Sequence, residues 1–127
     1  MKIYTVGFKD NYAYSIEKDK KRTREKLGKR EGVDGELYAV MLSIGENYDK
    51  DDILRVIHRD KRVKNLAKGI WKPKTPFEQL YADFVSSYMK DGINIHFNNI
   101  HLSNFVGLDK EYSEELASMA RNYNGFI

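Results

Sequence analysis

Apolar and polar positions alternate at the start of the chain. Residues 2–8 (KIYTVGF) and 12–17 (YAYSIE) read as two strands of a hairpin around a Lys9-Asp10-Asn11 loop, since Asn tolerates the left-handed position that a three-residue loop needs. That register puts Tyr4, Val6, Phe8, Tyr12, Tyr14 and Ile16 on one face. A core face is the stronger reading of it, ahead of a base-stacking surface of the kind single-strand binders use. Residues 18–35 carry no apolar periodicity, and Gly28, Gly32 and Gly35 interrupt them, so a basic arm or long loop is expected there, with a short helix at 19–27. Residues 36–44 (ELYAVMLSI) are an apolar run of strand length, expected as a central strand buried on both faces.

Helical signals begin at Asp49 or Asp51, with acids in the first turn as the dipole prefers. Ile53, Val56 and Ile57 make one stripe and Val63, Leu66, Ala67 and Ile70 another. The two are out of phase, which predicts a helix kinked near Asp60 or two short helices. Thr75-Pro76-Phe77-Glu78 is a capping box with Pro at the first helical position. Phe77, Leu80, Tyr81, Phe84, Val85, Tyr88 and Met89 follow at helical spacing, and Asp91-Gly92 stops them, so a helix is expected over 76–90. Residues 93–105 (INIHFNNIHLSNF) suit a hairpin turning at Asn98-Asn99, which pairs Phe97 with Ile100 and His96 with His101. A last helix is expected over about 109–122. The sum is one α+β domain over 1–127. Its sheet is expected to be small and mostly antiparallel, two hairpins plus a central strand, packed by three or four helices.

Composition narrows the class. At 127 residues with 41% hydrophobic content, nine Tyr, six Phe and one Trp, the chain can fill one core and is not disordered. Zero Cys removes disulfides, thiolate metal sites and cysteine nucleophiles. No apolar run approaches the roughly 20 residues that span a bilayer, and the N-terminus lacks a signal-peptide core. A cytoplasmic protein with no membrane partner is therefore expected. Abundant Lys, Asn, Ile and Tyr fit A/T-rich codons, hence a bacterial host cell, its phage or its plasmids.

Charge supplies the main functional clue. Residues 18–30 carry eight Lys/Arg against two acids, and residues 55–74 eight against Asp60 alone. The whole chain is only +3, so the remainder sums to −10. That polarity points to a polyanionic partner. The candidate contacts are Lys20, Lys21, Arg22, Arg24, Lys29 and Arg30 in the first stretch. In the second they are Arg55, Arg59, Lys61, Arg62, Lys64, Lys68, Trp71 and Lys72. If helical, Arg55, His58, Arg59 and Arg62 share a face, and Trp71 offers a flat surface for bases.

His96 and His101, paired across the expected hairpin, form a possible acid/base pair, although a structural or surface role is the stronger reading. No P-loop, Rossmann fingerprint, GxSxG or HExxH is present, and no metal or cofactor is expected. The leading expectation is a non-enzymatic protein that engages nucleic acid or a nucleoprotein complex: a phage or mobile-element accessory factor, such as an inhibitor of a host CRISPR or other defence nuclease. The alternatives are a small metal-independent ribonuclease of the toxin kind, or an oligomeric binder of an anionic nucleotide.

Overall fold

In the computed structural model, which describes residues 1–100 and 107–124, three strands come first: β1 (Lys2–Phe8), β2 (Asn11–Lys18) and β3 (Lys21–Lys29). Helix α1 (Gly35–Asn47) precedes β4 (Ile53–His58), and then come α2 (Arg62–Ala67) and α3 (Pro76–Lys90). Strand β5 (Asn94–Asn99) and helix α4 (Leu108–Asn122) complete the described elements. The sheet order is β3-β2-β1-β4-β5. The first three strands are antiparallel neighbours, while β4 runs parallel to both β1 and β5. This is an α+β domain with a mixed sheet, not the mostly antiparallel one expected.

Two cores sandwich the sheet. On one face Ile3, Tyr14, Ile16, Val56 and Ile95 meet Leu37, Val40 and Ile44 of α1, Val63 and Leu66 of α2, and Tyr81 and Val85 of α3. On the other, Tyr4, Val6, Ala13 and Ile57 meet Leu116, Ala117 and Ala120 of α4. The hairpin of β1 and β2 forms, but with a two-residue turn, Lys9-Asp10, in which Lys9 sits at φ 55°. Losing one loop residue splits the expected single face: Tyr14 now opposes Thr5 and Ile16 opposes Ile3, while Tyr4 and Val6 point to α4. Both faces are core, so the reading of a core face holds and the membership changes. Asn11 serves as a cap, donating to the carbonyls of Ala120 (2.7 Å) and Tyr123 (2.9 Å) at the end of α4.

Three expected elements change type. Residues 21–29 are β3 rather than an arm or a helix, held by their ladder to β2. The run 36–44 is the interior of α1, not a strand; the Asp34 side chain caps it by accepting from the Leu37 N–H (3.4 Å). Residues 53–58 are strand β4, not a helix, as suits a segment in which Ile53, Val56 and Ile57 are β-branched. Helix α3 forms as expected, with Thr75 Oγ1 accepting from the Glu78 N–H at 3.1 Å. Leu80 is 54% exposed, however, so the buried stripe of α3 rests on Tyr81 and Val85. Asn98 and Asn99 belong to β5 and make no hairpin turn. His101 and residues 102–105 of that expected hairpin lie outside the described residues.

Candidate active site

In open sheets with helices on both faces, ligands gather beyond the C-terminal ends of parallel strands, where the chain leaves to opposite sides. Here those ends are Phe8 of β1 and His58 of β4, with α1 on one face and α4 on the other. A cleft of about 370 Å³ opens between them, lined by Val6, Gly7, Phe8, Lys9, Asp34, Glu36, Arg59, Asp60, Arg62, Ala117 and Arg121. Two glycines let α1 reach it. A Cβ on Gly7 would stand 2.0 Å from the Glu36 nitrogen, and one on Gly35 1.9 Å from the Asn11 carbonyl oxygen. The Gly35 N–H donates to the Lys9 carbonyl at 2.7 Å, fixing the start of α1 on the β1–β2 turn.

That contact delivers Glu36 to the floor of the cleft. The residue is 6% exposed. Burial pushes it up to about 8, against the pull of the backbone N–H groups of Arg59, Asp60 and Gly7. The Arg59 N–H donates to Glu36 Oε2 at 3.3 Å, so one carboxyl ties α1 to the end of β4. His58 beside it is fully buried, and burial lowers it to about 4, which leaves a neutral ring at neutral pH. Its Nδ1 lies 2.9 Å from the Asp60 carbonyl and donates to it in the neutral tautomer. Its Nε2 is buried without a hydrogen-bond partner among the described residues.

Arg62 forms the outer wall. Its guanidinium takes Asp60 in a bidentate grip (2.6–3.1 Å), Asp34 at 2.8 Å and Glu78 at 3.2 Å. These bonds, that to Asp60 first, hold its charge well above the usual arginine range. Asp60 is lowered despite burial, because Arg62 is its partner. Nucleases that work through two metal ions set carboxylates around cations about 4 Å apart. The donors here do not fit that pattern. Asp34 and Asp60 are both engaged by one guanidinium, and Glu36 is held by the Arg59 N–H. No group of three or more His, Asp or Glu that could hold a metal occurs among the described residues.

The expected contact residues scatter. Three of the eight cations in the first basic stretch are tied to the fold by ion pairs: Arg22 pairs with Glu115 (3.1 Å), and Arg24 and Lys26 with Glu46 (3.3 and 3.2 Å). Lys20 and Lys21 flank the β2–β3 turn, at the end of the sheet opposite the cleft. Lys29 and Arg30 lie at the cleft end of that edge, where Arg30 donates to the Tyr38 hydroxyl. In the second stretch the expected helical face is not formed. Arg55 projects from β4 opposite His96, His58 is buried, and Arg59 reaches Glu114 at 3.5 Å. Lys61, Lys64, Lys68 and Lys72 have no ion pair among the described residues. His96 is exposed on β5 at the edge of the sheet and does not line the cleft, and its expected partner His101 lies outside the described residues. Glu36 was hidden from sequence reasoning by the reading of 36–44 as a strand, although Asp34 as an N-cap was a readable signal.

No family model and no curated protein matches the sequence. The fold does have relatives. RNase H1 from the halophilic archaeon Halobacterium salinarum NRC-1 superposes with a TM-score of 0.66 at 11% identity, over 95% of this chain and 96% of that one. The N-terminal RNase H domain of Rv2228c from Mycobacterium tuberculosis, solved as a fusion with maltose-binding protein, gives 0.65 at 13% identity, over 94% and 98%. The chain therefore has an RNase H-like fold. This corrects the expectation of a non-enzymatic accessory factor or CRISPR inhibitor. The first of the two basic stretches on which it leaned is a paired edge strand, the helical face expected of the second does not form, and the fold is like that of the two RNase H structures. No helix among the described residues is long and apolar enough to cross a membrane.

Proposed function

We propose that this chain is a ribonuclease of the RNase H-like fold that cleaves RNA in the cleft beyond β1 and β4 through Glu36 rather than a divalent pair. The observation that carries the reading is the Glu36 carboxyl, buried, raised to about 8 and lining an open cleft. A general base works best when it titrates near the working pH. Once ionised, Glu36 accepts the proton of a ribose 2′-hydroxyl. The 2′-oxygen bonds to the adjacent phosphorus, the P–O5′ bond breaks, and the leaving oxygen takes a proton from water. Lys9, Arg59 and Arg121 line the same cleft and offset the charge that develops on the phosphate. Lys61, Lys64, Lys68 and Lys72 extend the cationic surface along the strand. A cytoplasmic setting belongs to the same proposal and rests on the Cys-free composition.

The test is cleavage of an end-labelled RNA in EDTA by wild type and Glu36→Gln, with a DNA of the same sequence as control. Wild type should cut the RNA alone, leaving 2′,3′-cyclic ends, and its rate should rise with pH towards about 8. Glu36→Gln should lose about 10²-fold or more while remaining folded. Cleavage of the DNA, or a rate unchanged in Glu36→Gln, would overturn the reading.

A further inference from the structure

A second concavity, of about 450 Å³, adjoins the cleft and shares Arg62 with it. Its lining is unlike the cleft's: Leu66, Ile70, Trp71 and Pro73 supply apolar surface, and Lys72 and Lys74 supply charge. Ile70 is 60% and Trp71 44% exposed, in a chain that buries most of its large apolar side chains. The platform is fixed. Gly69 ends α2 at φ 73°, and the N–H groups of Ile70 and Trp71 both donate to the Asn65 carbonyl, at 2.8 and 3.0 Å. The one acid on the wall, Glu78, is already taken by Arg62 and the Lys74 N–H. An indole face held open beside lysines with no acidic partner suits one chemistry, a flat π-system carrying a phosphate. The volume is that of a small-ligand pocket, enough for one nucleotide.

We propose that the Trp71 pocket is a stacking subsite for one unpaired nucleotide of the strand held in the cleft, so that the substrate is single-stranded RNA. The inference rests on the ribonuclease reading for the identity of the strand. A duplex keeps its base faces inside its own stack and cannot present one to Trp71. A free strand can, and it can present another to Phe8, which is 44% exposed in the cleft on the far side of Arg62, with the Lys9 ammonium 5.5 Å from its ring.

Trp71 is the sole tryptophan, so its emission reports on this pocket alone. A ten-nucleotide RNA would be titrated at low salt as a single strand, as an RNA duplex and as a hybrid with DNA, with indole fluorescence and the anisotropy of a label on the RNA both recorded. The single strand should quench Trp71 and bind more tightly than either duplex. Trp71→Ala should weaken single-strand binding roughly tenfold and leave duplex binding unchanged. Trp71→Phe should recover most of the loss, and thermal melts of all three proteins should coincide because the ring is surface-exposed. Equal binding of single strand and duplex with unchanged emission overturns the subsite, even if the RNA is cleaved. Quenching by the single strand alone, in a protein that cleaves nothing, sustains the subsite and sinks the ribonuclease reading.

Discussion

The two basic stretches look alike in sequence and are used differently. In 18–30, the strand cations Arg22, Arg24 and Lys26 face Glu115 and Glu46 and pin the edge strand to α4 and α1. In 55–74, Arg59 and Arg62 pair with Glu114, Asp34, Asp60 and Glu78, Arg55 has no ion pair among the described residues, and Lys72 and Lys74 are left beside Ile70 and Trp71. Among the described residues, none of the exposed large apolar side chains falls in the first stretch, and two of the six fall in the second. A count of positive charge measures neither region. Arg22, Arg24, Arg59 and Arg62 are drawn into ion pairs together with Lys26, while Lys61, Lys64, Lys68 and Lys72 have none among the described residues.

The sharpest break between the regions is their response to pH, because the cleft beside 59–74 holds Glu36 and the 18–30 edge holds only solvated pairs. Glu36 is raised from 4.5 to about 8. Its contribution to stability is fully present below pH 4.5 and is lost as pH rises through 8, since the unfolded chain ionises first. Glu36→Gln, which keeps an oxygen for the Arg59 N–H, should gain on wild type by roughly 3–5 kcal/mol between pH 4.5 and 9. Urea melts at the two pH values measure this. His58 acts in the opposite sense, losing stability as pH falls from 6.5 to about 4, but it is common to both proteins and cancels in the difference. A constant gap between the two proteins would mean that Glu36 is ionised in the fold.

Within 59–74 the arginine and the lysines should separate. Arg62→Ala leaves Asp34, Asp60 and Glu78 without their common cation and should cost about 2 kcal/mol, discounted for a side chain that is 30% exposed. Lys72→Ala should stay within about 0.5 kcal/mol. Equal losses in urea melts would erase the distinction between structural and free cations.

The parts of the fold legible in sequence were those with local chemistry. Thr75 and Pro76 fixed the start of α3, and the helix expected over about 109–122 forms as α4. What failed had no local signal strong enough to outweigh tertiary context. The nine residues from Glu36 to Ile44 are apolar on nearly all sides because α1 is wedged between the sheet and α3, and such a run has no period to read. Strand β4 showed a helical spacing of Ile53, Val56 and Ile57 because both of its faces are buried, Val56 towards α1 and Ile57 towards α4. The cleft followed those two errors: with α1 and β4 misassigned, nothing brought Glu36 to Arg59.

The smallest effect tests the comparison at the level of single charges. Lys20 and Lys21 sit at the pole of the sheet where β1 begins, whereas Lys72 lines the Trp71 pocket that adjoins the cleft and Lys68 lines a shallow concavity that shares Trp71 with that pocket. Affinity of a polyanion falls with salt in proportion to the phosphates neutralised, with a slope near −0.7 per contact on a single strand. Lys68→Ala with Lys72→Ala should therefore flatten the salt dependence of RNA binding by about 1.4. The same change at Lys20 and Lys21 should leave the slope where it was, because a strand seated in the cleft runs at the other end of the molecule. Equal flattening by both pairs would mean that the RNA wraps the sheet edge, and the two basic stretches would then be one surface after all.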